Sequence, residues 1–326
     1  MKPFCTAESR VRPRRSRARF ALWSVVATLG LGVLLQVGLS VAIGAAPNAT
    51  HWSQHLLAQP PQQLRERGAR AFHSPLADGA GALAAWIVDP RAQAPVGTVV
   101  LLHGVRMDKQ ASIPMALSLG DAGYRTVLVD LPGHGDSDGR YLTYGDHEAR
   151  ELSRMLDALQ ASGVALGPLG VFGFSYGAAV AIDLAASDAR VRGVVAVSPF
   201  ASLREVVRDY RRKYLPPAAS LLPDSWLQQG VDTAAWFIGF DPDGSAPAQR
   251  IGATVAPTLL IHGDADTQVP LRHSRALARA ASGRAQLLVL HGATHDSMPT
   301  DAKHLVRDGA VAWFDAKLGC DKHDKD

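Results

Sequence analysis

Leu169-Gly170-Val171-Phe172 is a short apolar run that ends in Gly173-Phe174-Ser175-Tyr176-Gly177 and leads at once into Ala178-Ala179-Val180-Ala181. A strand that turns into a helix without a loop needs small residues on both sides of the bend, because the two backbones pass too closely for side chains. The residue at the bend, Ser175, is then held on a strained turn at the edge of a sheet. Such a turn belongs to a sheet whose strands feed directly into covering helices.

The rest of the chain repeats that alternation. Apolar runs at Thr98–Leu102, Thr126–Asp130, Val191–Val197, Thr258–His262 and Ala285–Leu290 read as strands, each closed by turn residues. Ile113–Ala122, Tyr144–Leu159, Tyr176–Ala186, Leu271–Ala281 and His304–Ala316 read as helices, and Arg70–His73 with Ala82–Val88 as an antiparallel lead-in pair. Strands that are apolar throughout are buried on both faces, so the pattern predicts an α/β fold with a mostly parallel central sheet and helices on both sides. Sites in such sheets lie at the carboxyl ends of the strands. The body spans residues 69–318, interrupted by an insert, 199–253, that reads as a short helical cap. A hydrophobic content of 47% is enough for one large core.

The front end has a different composition. Residues 1–19 hold seven basic side chains, six of them arginines, against Glu8, a net +6; the chain as a whole carries +4, so the remainder is slightly acidic. The basicity belongs to this tail, and no basic stripe with interleaved aromatics points to nucleic acid. From Phe20 to Ala46 no residue is charged. That length exceeds an ordinary signal-peptide core and suits a transmembrane signal anchor, with the arginines inside and the body outside the inner membrane, periplasmic or extracellular. The alternative is secretion after cleavage near Ala42-Ile43-Gly44. Residues 47–68 read as a polar spacer and 319–326 as a polar tail. Cys5 and Cys320 form neither a disulfide framework nor a zinc site.

The Gly-x-Ser-x-Gly spacing occurs a second time, at Gly135-Asp136-Ser137-Asp138-Gly139. Ser137 stands several residues past its strand, between two aspartates, with no helix at hand, so Ser175 is the candidate nucleophile. A serine hydroxyl needs a base, and the base needs a carboxylate to fix its tautomer. Two successive strand-end loops supply them in the order acid, then histidine: Gly263-Asp264-Ala265-Asp266 and Gly292-Ala293-Thr294-His295. Asp266 is preferred over Asp264 because it lies deeper in its loop. His295 is preferred over His291, which ends a strand; their i,i+4 spacing invites a metal reading, but Gly292 argues against a helix there and no third ligand is apparent. The oxyanion would be received by the backbone N–H of Tyr176 and that of Val105, after His103-Gly104.

His103-Gly104, Gly133-His134-Gly135-Asp136-Ser137, Gly173–Gly177, His262-Gly263 with Asp266 and Val269-Pro270, and His295, in that order, resemble the α/β-hydrolase superfamily. Within it the chain is similar to bacterial serine esterases and acyl hydrolases near the serine aminopeptidase-like branch. The resemblance implies the α/β-hydrolase fold, a Ser-His-Asp mechanism on a small ester or acyl substrate, and no cofactor. Phe174, Trp226, Trp236 and Phe237 are the candidate lining of an acyl pocket, the last three from the cap. A peptidase or thioesterase on the same residues, or a non-catalytic scaffold that binds a partner, are the alternatives. Nothing in the sequence specifies an oligomeric state.

Overall fold

A computed structural model describes residues 15–45, 59–91, 94–214, 222–299 and 303–319. The body is one eight-stranded sheet with β1 (Arg70–Pro75), β2 (Ala82–Val88), β3 (Thr98–Leu102), β4 (Arg125–Val129), β5 (Leu169–Phe174), β6 (Val191–Val197), β7 (Thr258–Gly263) and β8 (Ala285–Leu290). Their order across the sheet is β1-β2-β4-β3-β5-β6-β7-β8. β1 and β2 pair antiparallel, β2 runs antiparallel to β4, and every later pairing is parallel. This is the expected α/β-hydrolase sheet, lead-in pair included.

The inner strands β2 to β7 are largely buried because both faces are covered, whereas the edge strands β1 and β8 are partly exposed. In β3, Val100 and Leu102 join the core under α4 (Asp146–Ala161), α5 (Tyr176–Ser187) and α9 (Arg272–Ala280). Val99 and Leu101 face the opposite way, toward α3 (Ile113–Asp121) and α10 (Lys303–Leu318). Each such fully buried side chain contributes roughly 1.5–3 kcal/mol. Leu152, Met155, Leu156 and Leu159 give α4 its single buried stripe, at the i, i+3, i+4, i+7 spacing of a helix lying on a sheet.

Among its described residues the insert forms three helices, α6 (Leu203–Tyr214), α7 (Asp224–Ile238) and α8 (Pro247–Ala253). α6 and α7 enclose a third apolar cluster with Phe200, Leu203, Val206, Leu227, Val231 and Val269 at its centre.

The front end departs from expectation. Arg15–Gly44 is one helix, α1, but among the described residues no helix is long and apolar enough to cross a membrane. The side chains of α1 are described only in part before Gly30. Its last turns belong to the body: Ser40, Ile43 and Gly44 are buried, and Ile43 and Leu39 pack into the cap cluster. Gly230 of α7 lies against Leu39 and Gly44 lies against Ile238, so at each contact a glycine of one helix makes room for a branched side chain of the other. Tyr144 donates its hydroxyl to Ile43 O at 2.6 Å, and Leu142 N–H bonds Gly44 O at 2.9 Å. A span ending at residue 46 would place this docked segment in lipid. The spacer also needs correction. Residues 46–58 lie outside the described residues, but Gln62–Arg65 forms a short helix, α2, whose Leu64 is fully buried against α3 and the sheet. Most of the basic tail, 1–14, and the end of the polar tail, 320–326, also lie outside.

Candidate active site

Ser175 sits between the end of β5 and the first residue of α5, at φ 53° and ψ −113°. That conformation is costly for a residue with a Cβ and persists only where its surroundings enforce it. The enforcement is visible. Ser175 N–H bonds Val197 O at 2.7 Å, and a side chain at Gly173 would strike the Gly177 carbonyl, while one at Gly177 would strike the His103 carbonyl.

Three strand ends bring the three candidate residues together. His295 Nε2 is 3.0 Å from Ser175 Oγ, and His295 Nδ1 is 2.7 Å from Asp266 Oδ2. All three residues are buried. Asp266 Oδ1 also accepts the N–H groups of Gln268 at 2.9 Å and Val269 at 2.8 Å. Burial pushes the Asp266 carboxyl up, but the hydrogen bond and charge of His295, with the Val269 N–H, hold it below the usual carboxylate range. The carboxylate is therefore ionised and fixes the proton on Nδ1, leaving Nε2 to accept from the serine. His262 supports this loop from beneath: its Nε2–H donates to Val269 O and its Nδ1 accepts from Ser274, both at 2.7 Å.

The competing residues go elsewhere. Asp264 and His291 pair with each other at 2.6 Å on the surface, His291 being 98% exposed in its side chain. Ser137 is buried and spent on structure: its hydroxyl donates to Asp130 O and accepts Ala84 N–H. Among the described residues no cluster of His, Cys, Asp or Glu is arranged to hold a metal.

Tyr176 is the first residue of α5, so its N–H has no acceptor within the helix, and Val105 lies in the turn that follows β3. His103 braces that turn. Its Nδ1 donates to Gly104 O at 2.8 Å and its Nε2 accepts Leu131 N–H at 3.0 Å. Burial pulls this imidazole down to about 4, so it is neutral and serves as a strut. Glu148, which nothing in the strand and loop pattern singled out, anchors Tyr176 from the other side. Its carboxylate accepts the Tyr176 hydroxyl at 2.7 Å, the Thr143 N–H at 2.7 Å and hydroxyl, and the Gly145 N–H at 2.9 Å. The spacing Gly145 to Glu148 is that of a capping box, the one signal that could have found it. A second buried group, Lys109 between Asp130 and Asp136, ties the segment after Val105 to β4.

Of the four residues expected to line an acyl pocket, only Phe174 adjoins the centre, its ring 5.1 Å from that of His295. Trp226 packs on the outer side of the cap cluster. Trp236 and Phe237 are 84% and 68% exposed, and Phe237 meets Tyr141 edge-on. The reason is helical phase: α7 buries Leu227, Gly230, Val231, Ala234 and Ala235, which turns 236 and 237 outward.

The alpha/beta hydrolase family matches the chain over residues 99–308. The chain belongs to that family. It is 25% identical over 225 residues to YqkD, an uncharacterised protein of Bacillus subtilis (strain 168), covering 67% of this chain and 71% of that one. To a monoacylglycerol lipase of Mycolicibacterium smegmatis it is 29% identical over 251 residues, covering 69% of this chain and 90% of the relative. Among solved structures, the Pyrococcus furiosus esterase Pf2001 superposes with a TM-score of 0.64 at 23% identity, over 80% of this chain and 95% of the esterase; at that identity the likeness speaks for the fold.

Proposed function

We propose that the protein hydrolyses carboxylic esters, with Ser175 as nucleophile, His295 as base and then acid, and Asp266 as the carboxylate that orients the imidazole. The observation that carries this reading is the unbroken hydrogen-bond chain from Ser175 through His295 to Asp266, ending on a serine held in a strained turn. His295 Nε2 takes the hydroxyl proton as Oγ bonds the ester carbon, and the oxyanion turns to the N–H groups of Tyr176 and Val105. One such donor is worth roughly 3 kcal/mol of transition-state stabilisation. The imidazolium then gives its proton to the departing alkoxide oxygen, the C–O bond breaks, and the acyl group stays on Ser175. Water enters, loses its proton to the same nitrogen, and the acid leaves as Ser175 recovers its proton. The monoacylglycerol lipase relative favours an ester over an amide or thioester.

A fluorophosphonate probe is expected to label Ser175 in the wild type and nothing in Ser175→Ala. Nitrophenyl esters are expected to turn over faster than matched thioesters or aminoacyl anilides. Labelling at Ser137, or anilides as the faster class, overturns the reading.

We further infer that the N-terminal segment tethers the enzyme to the inner membrane with the body on its outer side. The support is in the sequence, six arginines followed by an uncharged run that starts at Phe20 and reaches the docked turns at Leu39. α1 also exposes Leu31, Val33, Leu34 and Leu35 ahead of its docked turns. An export-dependent reporter fused after residue 60 is expected to be active, and the full chain to stay in the pellet after a carbonate wash. An inactive fusion or a fully released chain overturns this tether.

A further inference from the structure

The reading of the protein as an ester hydrolase leaves open where the substrate's apolar arm goes, and the cap aromatics do not supply the place. A cavity of about 60 Å³ lies on the other side of the catalytic centre, between the sheet, the start of α3 and α10. Its walls are the turns beside Ser175 and His295 on one side and core on the other, with Arg307 its one charged side chain. His103 and Gly104 of the oxyanion turn border it, and so does Phe174, the residue before the nucleophile. The Phe174 ring also packs on His295, so the cavity is one side chain away from the reacting groups. Met115, Met298 and Val306 close it, the last two from the chain that follows His295.

Two properties of this cavity bear on what it holds. No acidic side chain lines it, so it offers nothing to the ammonium group of an aminoacyl substrate. It exceeds several times the minimum of about 10–15 Å³ that one water needs, yet it is far too small for a fatty chain. Methionine suits such a wall, because its unbranched side chain adapts to differing shapes without a strict rotamer.

We propose that this cavity is the subsite for a short unbranched alkyl arm of the substrate ester, of acetyl to butyryl size, and that Met298 and Val306 set its depth. The inference rests on the ester reading above. The arm is either the acyl chain or the alcohol, and the chemistry that recognises it is the same.

Two substrate series tell these sources apart: nitrophenyl acetate, butyrate, hexanoate and octanoate for the acyl chain, and ethyl, butyl and hexyl acetate for the alcohol. In the series that enters the cavity, kcat/KM is expected to climb about fourfold per methylene and then fall as the arm outgrows the space. Met298→Ala is expected to move the maximum up by about two methylenes, and Val306→Phe to move it down to the shortest member. Trp236→Ala is expected to move neither series. Alkyl fluorophosphonates of graded length separate the two readings, since they report labelling of Ser175 with no ester present. If no ester turns over but labelling rates follow chain length and shift in Met298→Ala and Val306→Phe, the subsite stands and the ester reading falls. If neither substitution shifts any series while both proteins still label at Ser175, or if Trp236→Ala shifts one, the subsite is overturned.

Discussion

Two aspartate–histidine pairs stand on the same two loops of this enzyme, with nearly the same oxygen-to-nitrogen separation. Asp266 and His295 meet at 2.7 Å, and Asp264 and His291 at 2.6 Å. The inner pair is buried and reaches Ser175; the outer pair lies on the surface and reaches nothing that reacts. Both aspartates are held below the usual carboxylate range, but for different reasons. For Asp264 the Gly292 N–H is the first cause, with His291 second. For Asp266 burial works in the opposite direction, and the His295 imidazole leads the groups that overcome it, with the Val269 N–H behind. A close carboxylate–imidazole contact is thus common to both loops, and what sets the inner pair apart is burial together with a third group to act on.

The sharpest way to break this contrast is to disable each pair in turn. His295→Asn is expected to lower kcat by about 10⁵-fold or more, and Asp266→Asn by about 10⁴-fold, as members of a triad do. His291→Asn and Asp264→Asn are expected to stay within about twofold. Steady-state turnover of nitrophenyl butyrate measures all four. A large loss in either outer variant, or a small one in His295→Asn, reverses the assignment of the pairs.

The inner pair was legible in the sequence because chain order and strand-end placement left few partners for Ser175. The sheet was legible because short apolar runs such as Val99–Leu102 have no other home than a doubly covered strand. Other features depend on a neighbour that the sequence does not announce. The outward face of α7 is marked by Gln228, Gln229, Asp232 and Thr233, but Trp236 and Phe237 continue that face, and two aromatics left outside read as if they belonged to a pocket. α1 itself reads as a span until its contact with Gly230 is known, since Ser40 and Gly44 look unremarkable in an apolar run. Leu64 stands alone in a polar stretch, and one buried leucine carries no periodicity. Glu148 is obscured because the sequence pattern extends the helix back to Tyr144, which puts the carboxylate in the wrong position for a cap.

A second, smaller effect tests the different causes of the two lowered carboxyls. In the wild type the Asp266 carboxyl titrates below its unfolded value of 3.8, so it adds stability above that pH and loses it as pH falls through the folded value. His295→Ala removes the hydrogen bond and charge that offset burial. The folded carboxyl is then expected to titrate above 3.8, and ionising it costs stability as pH rises. The cavity left by the ring lowers Tm at every pH, but this added loss is expected only above the acid range, growing by several degrees between pH 3 and pH 7. A difference from wild type that is constant over that range shows that the imidazole is not what holds the carboxylate down.

The smallest effect is expected at the outer pair. His291→Ala removes one partner of Asp264 but leaves the Gly292 N–H, which bonds Asp264 Oδ1 at 2.7 Å. That hydrogen bond is the first cause of the lowered carboxyl, so Asp264 is expected to keep its acidity in the variant. Water replaces the imidazole at no great loss, because a surface ion pair is screened and its side chains are costly to order. Tm is therefore expected to stay within about 1 °C of wild type from pH 3 to pH 7, with no growth across the range. Raising salt to 1 M is expected to shrink even that difference. A pH-dependent loss like that of His295→Ala would mean that the exposed pair is coupled to the fold as strongly as the buried one, and burial would no longer explain why only one of them serves the serine.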